Sequence, residues 1–243
     1  ELVAVELIDQ TEFVPAQRYC FRHPLVRAVA YESQLNATRA TAHRALAAAI
    51  QRRTPSGEEG AALIATHLEA AGDLLEAYHW HMRAADWLRP RDLAAARDQW
   101  ESARRVADRL PADLEETSRL RIAPRAMLSS TTLYLRDDLP TDVIYDELYA
   151  LATRAGDMPA LAIGMAGRIF SFCVNEIRVP DAAALADELD VMTASLRCEP
   201  ATRGIVGNAL AFARLANGEL AASLRACDDI LAAHDVPVTE RAP

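Results

Sequence analysis

The chain contains no lysine: all 26 of its basic residues are arginine. Its nine glycines are dispersed, and neither G-x-x-x-x-G-K-[ST] nor G-x-G-x-x-G occurs. A phosphate loop needs clustered backbone amides and a lysine. Any ATPase core therefore lies outside these residues, and this chain alone is not expected to bind ATP or ADP tightly. The G-x-S-x-G elbow of many hydrolases is also missing. The four cysteines (Cys20, Cys173, Cys198 and Cys227) include no C-x-x-C pair. Cys20 and Cys173 lie in apolar runs and read as buried thiols, which suits a reducing cytoplasm. No apolar run approaches the length of a membrane span, and no signal peptide is visible. The chain starts at Glu1 in mid-pattern and reads as a piece of something longer.

What is present is alanine, leucine and charge. Roughly a fifth of the residues are alanine, well above ordinary usage. The exclusive use of arginine suggests a GC-rich genome such as an actinobacterium's. Net charge is −9, unevenly spread. Residues 1–12 carry four acids and no arginine, whereas residues 13–53 carry seven arginines against Glu32 alone. Residues 54–243 return to acidity, with 19 arginines and 30 acids. An acidic body argues against nucleic acid as a ligand. The basic island reads first as a solvated helix face. It could also face a nucleotide, an acidic neighbouring domain or DNA.

Period and punctuation predict a mainly α protein. The end of a helix is expected in residues 1–10, followed by a short β-hairpin whose second strand ends near Phe21. Helices follow at 23–33 and 36–53. Thr54 to Gly60 is a linker of breakers and charge. This divides the chain into residues 1–55 and 61–243. Beyond the linker every apolar stripe has the helical period. One comprises Leu93, Ala96, Trp100, Ala103, Ala107 and Leu110. Others are Ile64-Leu68-Ala71, Leu74-Ala77-His81-Ala85-Leu88 and Leu120-Ala123-Met127-Ser130-Tyr134. Later ones are Ile144-Leu148-Leu151-Ala155, Leu161-Met165-Ile169-Phe172, Leu185-Leu189-Met192-Leu196, Ile205-Ala209-Phe212-Ala216 and Leu220-Leu224-Cys227-Leu231. Gly72-Asp73 and Gly156-Asp157 each read as a helix stop followed by a cap. A short pattern recurs as Gly-Asp-Leu-x-x-Ala at 72–77, Arg-Asp-Leu-x-x-Ala at 91–96 and Gly-Glu-Leu-x-x-Ser at 218–223. It resembles the second helix of a tetratricopeptide repeat, without holding a 34-residue period. The fold expected is an α-α superhelix, a solenoid of antiparallel helices.

Residues 19–33 stand apart from these stripes. Tyr19-Cys20-Phe21 favours a strand. After His23, Pro24 suits a first helical turn because its missing N–H would have no partner there. Leu25, Val26, Val29 and Ala30 give the helix an apolar face. The run Phe21-Arg22-His23-Pro24-Leu25-Val26-Arg27-Ala28-Val29-Ala30-Tyr31-Glu32-Ser33, followed by His43-Arg44, resembles the winged-helix domain of signal-transduction NTPases with numerous domains, the STAND class. Many bacterial members carry F-x-H-P-L-h-R-x-h-A-Y-x-S there, with h apolar. That class includes large LuxR-type transcriptional regulators and proteins with an adenylate/guanylate cyclase domain. The resemblance implies a C-terminal winged-helix remnant over residues 1–55, followed by tetratricopeptide-like repeats. It also looks like the Met-His-Asp motif of plant and animal relatives, whose histidine touches the phosphates of bound ADP. His23 takes that histidine's place and Pro24 the aspartate's. By the same resemblance His23, with Arg22 and Arg27, would sense ATP or ADP held by the longer protein.

Other candidate chemistry reads as structural. His79 and His81, two apart, point to different sides of a helix and cannot share an ion. Asp137-Asp138 and Asp228-Asp229 are neighbours whose side chains diverge, suited to caps and surface. The expectation is a non-enzymatic sensor arm. Its repeats would bind a protein partner or small inducer and couple it to the ATPase domain of the same chain. The alternative is the regulatory arm of a cyclase-linked signalling protein.

Overall fold

A computed structural model of the chain describes residues 3, 5–12, 18–53, 58–111, 116–131, 141–194 and 199–234. Strands β1 (Ile8–Glu12) and β2 (Arg18–Phe21) pair antiparallel, with Ile8 opposite Phe21 and Asp9 opposite Cys20. Eleven helices follow among the described residues: α1 (Pro24–Glu32), α2 (Asn36–Arg53), α3 (Ala61–Ala71), α4 (Leu74–Leu88), α5 (Leu93–Asp108), α6 (Thr117–Ser130), α7 (Thr141–Ala155), α8 (Met158–Val174), α9 (Val179–Ala194), α10 (Pro200–Ala216) and α11 (Leu220–His234). The protein is mainly helical with a two-stranded hairpin at its start. No described helix is long and apolar enough to cross a membrane.

The hairpin and the first two helices fall where the sequence puts them. The helix end expected before the hairpin falls partly on residues 1, 2 and 4, which lie outside the described residues. The Glu6 N–H bonds the Val3 carbonyl at 3.1 Å, and Glu6 sits at φ 58°. A left-handed residue there closes a turn ahead of β1. Cys20 is exposed rather than buried, because nothing described covers the small sheet. Cys173 is half-buried, and burial raises its thiol pKa. Cys198 lies outside the described residues.

Local punctuation sets the helix starts. The three recurrent Asp/Glu-Leu sites open α4 at Leu74, α5 at Leu93 and α11 at Leu220. Gly72 ends α3 in the left-handed region at φ 84°, with the Asp73 N–H reaching back to the Leu68 carbonyl at 3.0 Å. Asp92 and Asp157 cap their helices by accepting from the N–H groups of Ala95 and Ala160 at 3.0 and 3.1 Å. Asp73 does not cap with its side chain. Its carboxylate is instead taken by Arg44 of α2, at 2.7 Å to both oxygens.

Each helix from α2 to α10 packs on its successor in the chain, and α6 touches α8 as α8 touches α10. Ala47 of α2 joins Ala61, Ile64, Leu68, Ala77 and Trp80 in one apolar cluster. The largest cluster spans α6 to α10 around Leu148, Met165, Ile169 and Leu189. The stripes on α3, α4 and α5 are the faces that pack, and Trp100 is wholly buried. On α6 the expected stripe is incomplete. Leu120 is buried, but so are Ile122, Ala126, Leu128 and Ser129, off that stripe. α6 is gripped by α5, α7 and α8, so most of its circumference is interior. Tyr134 and Leu196 lie outside the described residues.

The expected stripe on α11 is overturned. Leu220, Leu224, Cys227 and Leu231 are all exposed. α11 faces α10 through Ser223, whose hydroxyl donates to the Ala211 carbonyl at 2.8 Å, and through Ile230, which lies over Gly207. The leucine spacing is helical, but the side turned to α10 is the neighbouring one.

Candidate functional site

The strand-to-helix junction is held from the strand side. The Arg22 N–H donates to the Leu7 carbonyl at 3.1 Å. Its guanidinium bonds Glu6 at 2.5 Å and Asp9 at 3.0 Å. Asp9 first, and then Glu6, hold it more firmly protonated than a free arginine. The acidic start of the chain thus neutralises the second arginine of the basic island, and Arg22 is not a spare cation.

His23 occupies the N-cap of α1 in extended conformation, and its side chain makes no cap bond. Its carbonyl receives the N–H groups of Val26 and Arg27 at 3.1 and 3.3 Å. Pro24 has no N–H to offer, so among the described residues Leu25 supplies the remaining unpaired first-turn donor. The His23 ring is exposed, and so is Arg27, for which no partner is found among the described residues. The structure therefore places His23 and Arg27 at one helix start, with Arg22 engaged beside them. A phosphate approaching from outside would meet one imidazole, one amide and one guanidinium. That suits a contact made from one side, not a complete nucleotide site.

Behind the junction the apolar face of α1 is uncovered. Leu25 is 80% exposed and Val29 67%, with Leu35 just beyond at 77%. Tyr19 and Phe21 on β2 are exposed as well. No residue of α1 is buried.

The junction meets the helical body through a chain of rings. The Tyr31 hydroxyl lies 2.9 Å from Nε2 of His43, and Nδ1 of His43 lies 3.0 Å from Nδ1 of His67. Tyr31 and His43 belong to the signature, but His67 is 24 residues further on and carries no sequence signal of its own. Burial, and then the neighbouring His43, lower the pKa of His67.

His79 and His81 do diverge: His79 is exposed, while His81 is buried with Nδ1 2.8 Å from the Gln99 side-chain oxygen. No cluster of three potential metal ligands occurs among the described residues. Asp228 and Asp229 are exposed, and Asp137-Asp138 lie outside the described residues. Comparison with protein families, with curated proteins and with solved structures gave no match.

Proposed function

We propose that this chain is the sensor arm of a multidomain bacterial signalling ATPase of the STAND class, of the LuxR-type regulator kind. In this reading β1, β2 and the first helices are the trailing part of a winged-helix domain, and the later helices form a tetratricopeptide-like solenoid. The arm itself is not an enzyme. Its helices would bind a protein partner or an inducer, and its junction would rest on the ATPase domain of the same longer chain.

The observation that carries this reading is the uncovered apolar face of α1. A helix that exposes Leu25 and Val29, with none of its own residues buried, has the surface of an interface rather than of a solvated face. The stacking of α6 on α8 and α8 on α10 supports the solenoid reading, since alternate helices touch in such arrays. ADP or ATP would belong to the ATPase domain, with His23 and Arg27 reaching its phosphates from the arm side.

The test uses the longer protein. His23→Ala should speed ADP release and raise output without inducer, while leaving the fold intact. Leu25→Asp with Val29→Asp should do the same more strongly, by loosening the whole contact. Unchanged ADP release and unchanged basal output in both variants would overturn the reading.

A further inference from the structure

Three elements converge on two imidazole rings. Tyr31 comes from the end of α1, His43 from α2 and His67 from α3. Two ring nitrogens at 3.0 Å must share one proton, because one has to donate and the other accept. In one arrangement Tyr31 donates to Nε2 of His43, and Nδ1–H of His43 donates to Nδ1 of His67. In the reverse arrangement His67 donates to His43, and His43 donates to the tyrosine oxygen. Both satisfy the two nitrogens of His43 and Nδ1 of His67.

One added proton is also accommodated. A His43 imidazolium donates at both ends, to the tyrosine oxygen and to His67. A second proton is not. Both Nδ1 atoms would then carry hydrogen, and two N–H groups would point at each other across 3.0 Å with like charge.

The surroundings do not absorb that charge. From α1 the rings meet Tyr31, with exposed Glu32 beside it in sequence. On α2, Arg39 lies over the Tyr31 ring at 4.8 Å, and Arg44 is turned to Asp73 at the start of α4. On α3 the nearest acid in sequence is Glu69, paired with Arg109 at 2.6 Å and set beside His81 at 3.6 Å. Glu76 of α4 is exposed. Among the described residues neither imidazole has a carboxylate partner.

We propose that Tyr31, His43 and His67 form a proton-operated latch that fastens the strand–helix junction to the helical body and opens when the imidazole pair takes a second proton. α1 buries none of its residues, so little else holds it when the chain of rings breaks. The repulsion lies across the His43–His67 contact, so opening requires the His43 ring to turn away from His67, which carries its Nε2 off the Tyr31 oxygen and lets the exposed Leu25–Val29 face change its angle to α3. The lowered pKa of His67 fits this order of events, since the second proton is the one resisted. The latch depends on ring geometry alone and stands whether or not His23 meets a nucleotide.

The experiment is a histidine NMR titration of this chain from pH 8 to 5, with the His43 and His67 resonances assigned from His43→Gln and His67→Gln. Amide protection of residues 24–33 is followed in the same samples and corrected for intrinsic exchange rates. The wild type should show the pair titrating in two steps, the second at least about one pH unit below the first, as for strongly coupled sites. Protection in α1 should fall about tenfold or more with the second step. In His67→Gln the glutamine oxygen can accept from His43 but cannot take a proton, so α1 should stay protected to low pH. Tyr31→Phe should leave α1 unprotected throughout. A single unsplit titration in the wild type would overturn the latch, and so would α1 protection that ignores the second step. So would equal acid release of α1 in wild type and His67→Gln. The two wild-type outcomes decide the matter even if a variant fails to fold.

Discussion

Helices α1 and α5 both carry apolar residues at helical spacing and use them in opposite ways. In α1, Leu25 and Val29 at helical spacing lie open, 80% and 67% exposed. In α5, Ala96, Trp100, Ala103 and Ala107 at the same kind of spacing are wholly buried between α4 and α6. Period alone says that a helix has an apolar face; neighbours decide whether that face is core or interface. α5 is crossed on both sides, whereas α1 meets the body mainly through polar rings. The charges follow the same division. Around α1 the ion pairs are exposed, as in Arg22 with Glu6 and Asp9. In the body, Arg125 has a buried side chain and bonds Asp108 and Glu147 at 2.9 Å each.

The body should break hardest. Trp100→Ala should cost about 3–5 kcal/mol, the usual range for emptying a large buried aromatic site. Urea unfolding measures it, and a loss below about 1 kcal/mol would mean that the α4–α6 packing is looser than described.

Gly167→Ala should come next. A Cβ there would meet the Ser129 carbonyl oxygen at 2.1 Å, and that oxygen belongs to backbone, so the α6–α8 crossing must widen. The expected loss is about 1–3 kcal/mol, read as a fall in the unfolding midpoint. Unchanged stability would show that the two helices stand further apart.

A pH effect should be smaller and local. The folded-state pKa of His67 lies below the ordinary imidazole value of 6.5. The unfolded chain therefore takes the proton more readily. Stability from this site is fully present above about pH 6.5 and declines as pH falls towards the folded-state value. Thermal melts at pH 7.5 and 5.5 should separate in the wild type and separate less in His67→Gln.

The smallest effect is expected at α1. Leu25→Ser or Val29→Ser should change the stability of this chain by no more than about 0.5 kcal/mol, as at other exposed positions. A loss like that of a core leucine, about 2–5 kcal/mol, would mean that the face is packed after all.

Much of the architecture was legible because its signals are local. Gly72, Gly156 and Gly218 stop helices by taking positive φ. Asp92 and Asp157 start them by capping. The stripes on α3 to α5 name the packed faces, because each of these helices meets its sequence neighbours. Legibility fails where contact is not local. The α11 stripe was misjudged because period cannot say which side a neighbour takes. Nothing near Gly167 in sequence says that the Ser129 carbonyl, from a different helix, occupies the space a side chain there would need. At the junction, Pro24 and the strand before it place His23 at a helix start. Nothing near Arg22 in sequence says that Glu6 and Asp9 will claim it, and nothing near His43 points to His67.

The central claim is that the junction helix is presented by this chain while the helices behind it are packed. Hydrogen–deuterium exchange at pH 7.5, resolved by helix, tests it most directly. Relative to intrinsic rates, the amides of residues 24–33 should exchange about a hundredfold or more faster than those of residues 96–107, because a helix without buried contacts opens at little cost. Protection of residues 24–33 equal to that of residues 96–107 would contradict the account.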